Sequence, residues 1–250
     1  SGTTGTPLTV PISRARMIRD AVDLELQARR MGIVIDARRV FKTNYVYVTD
    51  ALGTKACKRL HVFGLSRFRK YPVPTMYGEE IQRVIQDIEN DNPVFLVGKA
   101  SSLAHLARMC EKAGYPKTGG IRPKAIFSGA EHLSRADREL LEQIFRTAVS
   151  QHYGLTETGV IGWECPEESG FHFRPDRFLV EILPPDGRII NPESDSGEIV
   201  VTNLQDLRFP LLRYRTGDIG RLYRERCLCG SHLPRVRLLE GRLTEYFVDR

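Results

Sequence analysis

Residues 93–129 read PVFLVGKASSLAHLARMCEKAGYPKTGGIRPKAIFSG, and this stretch decides the fold class of the chain. An apolar run at 93–98 is followed by a helical pattern from Ser101 to Ala113 and then by a second apolar run at 124–129. Short, uninterrupted apolar runs predict strands that are buried on both faces, and a helix between two such strands joins them in parallel. The stretch therefore predicts a β-α-β unit of a parallel sheet.

The same alternation of helix and strand continues on both sides of this unit. Apolar residues at spacings of three and four predict helices at 14–31, 78–90 and 134–148, and apolar runs predict strands at 44–50 and leading into 151–154. The first helix has Ser13 in the position of an N-cap residue. The first part of the chain is thus predicted to be α/β.

The pattern changes after Gly159. Short strand-like segments, separated by Pro, Gly and Asp, replace the helical periodicity; they read FHF, FLVEIL, GEIVVTN, LLRYRT and IGRLYR. We therefore expect an α/β part at residues 1–160 and a β-rich part at residues 161–250.

Composition restricts the class of protein. The 250 residues are 41% hydrophobic and 27% charged, which is ordinary for a globular protein. No apolar run approaches the roughly 20 residues of a membrane span, and the first residues lack signal-peptide features, so we expect a cytoplasmic protein without a membrane partner. The net charge of +6 is spread along the chain, which favours a small phosphorylated ligand over nucleic acid. Whether the protein is a monomer or a homodimer stays open.

Four short motifs carry glycine together with hydroxyl or carboxylate side chains. SGTTG at 1–5 is a loop, and it suits either a polar terminus or a phosphate-binding cradle. SGAE at 128–131 and YGLTE at 153–157 follow predicted strands, where α/β sheets bind ligands. RTGD at 215–218 is predicted to form a tight turn ending on a carboxylate that could accept from two ribose hydroxyls. Each motif taken alone is more typical of an ordinary structural turn.

Together and in this order, with Gly241 and Arg242 at the end, the motifs resemble the adenylate-forming superfamily of acyl- and aryl-CoA ligases. The resemblance is greatest to the phenylacetate-CoA ligases and their capsule-biosynthesis relatives. It implies a parallel-sheet adenylation core followed by a β-rich subdomain. It also implies that ATP activates a small carboxylic acid as an acyl-adenylate, and that coenzyme A then takes the acyl group.

The same resemblance implies a role for each motif. Ser1, Gly2, Thr3, Thr4 and Gly5 would surround the β- and γ-phosphates of ATP. Thr156 would contact the α-phosphate, and Glu157 would hold Mg²⁺. The other cofactor-binding positions are Gly129, Ala130 and Glu131 at the adenine and acyl pocket, Tyr153 and the adjoining Gly154 at adenine, Asp218 at the ribose, and Arg242 at ribose or phosphate.

Two alternatives stay open beside this interpretation. The superfamily has a mobile C-terminal lid after the hinge, and this sequence stops at the hinge, so we expect a core fragment or a naturally reduced relative that lacks the lid. Such a chain could be a non-catalytic nucleotide-binding module. It could also be an adenylating enzyme whose acceptor is a carrier thiol or an amine instead of coenzyme A.

The β-rich part also contains three cysteines and a histidine. Cys165, His172, Cys227 and Cys229 offer thiolates and an imidazole, the ligands that zinc prefers. From the residues alone, ordinary buried cysteines and a surface histidine are an equal alternative. Because related ligases carry a similar set, the resemblance favours a structural zinc ion.

Overall fold

The structure is a computed structural model, and it describes residues 10–33, 44–48, 60–62, 66–73, 79–115, 120–184, 195–206 and 209–242. The helices are α1 (Arg14–Arg30), α2 (Glu79–Asp91), α3 (Ala100–Lys112) and α4 (Arg135–Phe145). The first six strands are β1 (Asn44–Val48), β2 (Leu60–Val62), β3 (Ser66–Tyr71), β4 (Phe95–Lys99), β5 (Ala125–Gly129) and β6 (Val149–Leu155). The other six are β7 (Gly159–Glu164), β8 (Phe171–Phe173), β9 (Phe178–Leu183), β10 (Gly197–Asn203), β11 (Tyr214–Tyr223) and β12 (Arg235–Arg242).

The described residues form two compact units. Met17–Gln151 makes up one, called here the α/β unit. Residues 10–16 join the chain from His152 onward in the other, called here the β-rich unit. The sequence placed the division after residue 160, whereas the compact units divide inside β6, between Gln151 and His152.

The α/β unit is built on parallel strands, as the pattern at residues 93–129 predicts. Its sheet has the order β2-β3-β1-β4-β5-β6, and every pair is parallel except β2 with β3. Strands β4 and β5 are almost wholly buried, which explains their uninterrupted apolar sequences. The predicted α/β fold class is confirmed. No helix among the described residues is long and apolar enough to cross a membrane.

The helices of this unit follow the periodicity of the sequence. In α2 the four residues predicted to share a face are all buried: Ile81, Val84, Ile85 and Ile88. Ser134 caps α4, its side chain accepting a hydrogen bond from the Asp137 backbone N–H. The predicted end of α4 at Ala148 is wrong. The helix ends at Phe145 because Arg146 adopts a left-handed conformation, with φ of 51°.

The β-rich unit is antiparallel throughout. The second half of β6 pairs with β7, and the order continues through β8, β12, β11, β10 and β9. Its core is formed by alternate side chains of these strands, among them Ile161, Phe173 and Val201. Two strands of this unit, β7 and β12, were not predicted, and neither were β2 and β3 of the α/β unit. The segments LLRYRT and IGRLYR, predicted as separate strands, contribute to one continuous strand, β11.

Candidate nucleotide site and metal centre

The YGLTE motif forms the turn between β6 and β7. Leu155 pairs with Gly159 across the hairpin, and Thr156 to Thr158 make the turn itself. Thr156 is exposed, whereas the side chain of Glu157 is 7% exposed. The Thr158 hydroxyl accepts a hydrogen bond from the Leu155 N–H at 3.3 Å and so closes the turn. The hydroxyl and the carboxylate are thus presented by a tight hairpin.

Arg16 holds this turn from α1. Its guanidinium donates hydrogen bonds to the backbone carbonyls of Thr156, at 2.6 Å, and Glu157, at 3.0 Å. Arg16 is 6% exposed, and Ser13 caps its helix by accepting from the Arg16 backbone N–H. A buried, two-pronged donor fixes the backbone more firmly than a single neutral hydrogen bond. No local sequence pattern predicts this contact, since the partners are 140 and 141 residues apart.

Gly154 allows the two strands of the hairpin to approach each other. A Cβ atom at this position would lie 2.4 Å from the carbonyl oxygen of Gly159. No larger residue fits without moving the backbone. The local geometry by itself therefore requires a glycine here.

Tyr153 and Asp218 are brought together from β6 and β11. The Tyr153 hydroxyl donates to the Asp218 carboxylate at 2.8 Å, and its ring packs near Phe171 within the core of the β-rich unit. The two residues are 65 positions apart in sequence. A buried tyrosine thus fixes the direction in which the Asp218 carboxylate points.

The predicted tight turn at RTGD is wrong, because Thr216 to Asp218 lie inside β11. The pairing of β11 with β12 shifts register between Asp218 and Ile219, and Gly217 has a φ of 78°. These irregularities mark a bulge, a common device for aiming a side chain out of a sheet. Asp218 is still presented at an irregular point of the backbone, but by a bulged strand.

A buried glutamate supports this bulge. Glu198 of β10 accepts from the Gly217 backbone N–H at 3.1 Å and from the Arg215 Nε at 2.6 Å. Thr216 donates its hydroxyl proton to the Ile199 carbonyl and accepts from the Asp218 N–H. Glu198 was not predicted as a site residue; it lies within the buried strand β10, where a carboxylate needs a partner.

The SGAE motif lies in the α/β unit. Gly129 ends β5, and Ala130 has a positive φ of 65°, which is rare for a residue with a side chain. The Glu131 carboxylate accepts from the Ser101 N–H at 3.0 Å, at the start of α3, and lies 4.0 Å from the Lys99 Nζ. The position of a carboxylate at a helix N-terminus is electrostatically favourable.

Cys165, His172, Cys227 and Cys229 converge on one point. One ligand atom of each lies within 4.8 Å of the ligand atoms of all the others. The Cys165 and Cys227 sulfurs are 3.4 Å apart, and the Cys229 sulfur is 3.4 Å from Nε2 of His172. Ligands 2.3 Å from a tetrahedral ion are about 3.8 Å apart, so the spread suits a four-coordinate metal.

The surroundings orient these four side chains. The Nδ1 of His172 makes a 2.9 Å hydrogen bond with the Leu233 carbonyl, which directs Nε2 toward the sulfurs. The loop that carries Cys227 and Cys229 is closed by backbone hydrogen bonds from Cys227 N to the Ser231 carbonyl and from Gly230 N to the Cys227 carbonyl. Backbone and side-chain contacts therefore hold the cluster in one arrangement.

For two sets of predicted site residues, the described part of the structure gives no side-chain position. Ser1, Gly2, Thr3, Thr4 and Gly5 are not among the described residues. Arg242 is described through its backbone, which pairs opposite Asp218 in the β11–β12 ladder, but its side chain is not. The predicted phosphate and Arg242 contacts therefore stay predictions.

Comparison with solved structures defines the class of fold. An open-conformation structure of 2-hydroxyisobutyryl-CoA ligase, in complex with 2-HIB-AMP and CoA, superposes with a TM-score of 0.70 at 20% identity, over 100% of this chain and 58% of that chain. A long-chain-fatty-acid-CoA ligase from Archaeoglobus fulgidus matches with a TM-score of 0.57 at 16% identity, over 91% and 47% of the two chains. The fold is that of the acyl-CoA ligases of the adenylate-forming superfamily.

Sequence comparison is more specific. The phenylacetate-coenzyme A ligase of Thermus thermophilus is 30% identical over 100% of this chain and 55% of its own length. The enzyme of the same name from Pseudomonas putida is 28% identical with the same coverage. The chain is therefore a homologue of the phenylacetate-coenzyme A ligases, and it spans about half the length of these relatives. No profile of a known protein family matches the sequence.

Proposed function

We propose that the full-length protein uses ATP to convert a carboxylic acid to an acyl-adenylate, releasing pyrophosphate, and then transfers the acyl group to coenzyme A. The observation that carries the proposal is the 30% identity with a phenylacetate-coenzyme A ligase along the whole chain. A ligase of the same fold in complex with an acyl-adenylate and CoA supports both half-reactions. Phenylacetate is accordingly the first acid to test.

Asp218 is proposed as the acceptor for the ribose hydroxyls. A carboxylate offers about four lone-pair positions, so it can accept from Tyr153 and from a ribose at the same time. The Tyr153 hydroxyl and the bulge supported by Glu198 fix the carboxylate before ligand arrives. Preorganisation of this kind raises affinity because less order has to be imposed on binding.

Thr156 and Glu157 are proposed to act on the phosphates. Thr156 would donate its hydroxyl to the α-phosphate, whose charge increases as the acid attacks. Glu157 would hold Mg²⁺, which supplies charge neutralisation for the leaving pyrophosphate. Its carboxylate has no hydrogen bond or ion pair with any other described residue, and carboxylate oxygen is a donor that Mg²⁺ favours.

Gly129, Ala130 and Glu131 are proposed to line the adenine and acyl pocket. The positive φ of Ala130 supports a functional role for this backbone, since such conformations are retained where surrounding structure enforces them. Glu131, anchored at the start of α3, would keep the segment in place. Its proposed contribution is therefore mainly positional.

Cys165, His172, Cys227 and Cys229 are proposed to bind one structural Zn²⁺. The convergence of three sulfurs and Nε2 supports it, and so does the hydrogen bond that orients His172. Three cysteines and one histidine complete a tetrahedral coordination sphere and leave no position for a substrate. The ion would join the loop after β7 to the loop between β11 and β12.

Acid-dependent exchange of labelled pyrophosphate into ATP tests the first half-reaction. The full-length wild-type protein should catalyse exchange with a suitable acid, and Asp218→Asn should weaken ATP binding by about 10- to 100-fold, because it removes a charged acceptor worth roughly 1.5–3 kcal/mol. Asp176→Asn, at an exposed ion pair with Arg174, is the matched control. ATP binding without exchange for any acid in a broad panel would instead support the non-catalytic module.

The acceptor is tested separately. If coenzyme A is the acceptor, its addition to the enzyme with acid and ATP should release AMP and form a thioester. Exchange that persists without thioester formation would favour a carrier thiol or an amine as the acceptor.

A further inference from the structure

The proposed zinc centre would place a net negative charge inside the β-rich unit. Zn²⁺ held by three thiolates and a neutral imidazole carries a net charge of −1. Cys165, His172 and Cys227 are all buried, so this charge lies mostly away from water. A buried charge is costly unless a partner of opposite sign is placed beside it.

Arg235 is placed where such a partner is needed. It begins β12 and is 6% exposed. One of its terminal nitrogens donates to the Cys227 sulfur at 2.8 Å, and its guanidinium lies over the ring of Tyr223, 5.0 Å from the ring centroid. The positive charge therefore directly contacts one of the four predicted ligands.

Glu168 keeps the guanidinium in place. It forms an ion pair with Arg235, accepts from the Leu228 backbone N–H at 3.4 Å, and donates its own backbone N–H to the Cys165 sulfur at 3.3 Å. The Glu168 side chain is 24% exposed, so its charge stays in contact with solvent, whereas Cys165 and Cys227 are buried. The two residues thus connect both cysteine-bearing loops.

We propose that Arg235 is a positioning residue of the proposed metal centre, which orients Cys227 and stabilises its thiolate through a charge-assisted hydrogen bond. This inference rests on the proposed zinc site and assigns to Arg235 a part of the affinity for the ion. A purely structural arginine–glutamate pair would stabilise the fold without changing the affinity of the folded protein for zinc. The two roles therefore differ in a measurable quantity.

The test compares zinc affinity in wild type, Arg235→Met and Arg235→Lys, by competition with a chromogenic chelator and with zinc content from elemental analysis. Arg235→Met should bind zinc about 10- to 100-fold more weakly, the usual effect of losing a partner of a metal ligand. Arg235→Lys should fall between the two, because it keeps the charge but not the planar fork. Arg237→Met, exposed on the same strand, is the matched control and should leave the affinity unchanged.

The outcomes separate this inference from the zinc site itself. Wild type without zinc would overturn both. Wild type with one zinc per chain, and Arg235→Met with the same affinity, would overturn the role of Arg235 and leave the zinc site standing. If Arg235→Met does not fold, Arg235→Lys decides: zinc transfer to the chelator should be faster than in wild type, and an equal rate would contradict the proposal.

Discussion

Arg16 ties the start of α1 to the turn that presents Thr156 and Glu157. The contact matters because the proposed chemistry depends on placing a hydroxyl and a carboxylate beside a phosphate, where small displacements are costly. The Thr158 hydroxyl closes the turn from within, and Arg16 supplies hydrogen bonds to it from outside the hairpin. Arg16 is thus a positioning residue for the proposed adenylation.

Arg16→Met should therefore slow pyrophosphate exchange in the full-length protein. The substitution removes two charge-assisted hydrogen bonds. If their loss raises the activation free energy by about 1.4 kcal/mol, the exchange rate falls roughly tenfold. The exchange rate and the melting temperature should be measured together. Arg19→Met, on the same helix, is the control, and an Arg16→Met protein with wild-type exchange would contradict the positioning role.

The longer helices and strands could largely be predicted, because the apolar pattern that indicates each of them lies within its own segment. Helices α2 and α3 and strands β4 and β5 follow from apolar periodicity within each segment. Strand β12, which carries charged side chains and a glycine, is formed by its pairing with β11 and β8, which no local pattern reveals. The bulge at Asp218 and the contacts of Arg16 and Arg235 were missed for the same reason.

Strand β12 runs from the proposed metal centre to the proposed ribose site. Arg235, at its start, pairs with Tyr223 and with His172, while Arg242, at its end, pairs with Asp218. The two ends are about 23 Å apart at the rise of an extended strand. Zinc at one end would therefore help to fix the register of the ladder that carries Asp218.

Removal of zinc should accordingly loosen this ladder before the rest of the chain. After chelation, or in Cys229→Ser, amide hydrogen exchange should become faster across residues 214–242, because a clip between two loops has been lost. Residues 95–129 of the α/β unit should be unaffected. Cys110→Ala, which removes a buried thiol elsewhere, is the control. Equal acceleration in both regions would contradict the local role of the ion.

For the stability of the whole chain, we expect His152 to contribute a dependence on pH. It lies beside Tyr153 in the β-rich unit, with its ring centroid 5.3 Å from that of Trp163. Burial lowers the pKa of His152 from 6.5 to about 4. Between these two values the unfolded chain binds more protons than the folded one, so the free energy of unfolding falls as the pH falls.

The expected loss for this one group between pH 7 and pH 4.5 is about 2 kcal/mol, at 1.36 kcal/mol for each unit of pKa shift. Urea unfolding at both pH values should show this loss in wild type and not in His152→Gln. The carboxylates titrate in both proteins, so their contribution cancels in the comparison. His232→Gln, at an exposed position, should behave like wild type. An identical pH dependence in wild type and His152→Gln would show that His152 has the same pKa in the folded and in the unfolded protein.

In the proposed reaction a carboxylate attacks the α-phosphate of ATP, and transfer of a carboxylate oxygen to AMP is the decisive sign of that step. Phenylacetate labelled with ¹⁸O in its carboxyl group should be incubated with the protein, ATP and coenzyme A, and the AMP analysed by mass spectrometry. Attack of the carboxylate on the α-phosphate, followed by thioester formation, leaves one labelled oxygen in AMP. Labelled AMP that appears with the thioester is the predicted result. Thioester formed with unlabelled AMP, or with ADP and phosphate, would rule out an acyl-adenylate intermediate.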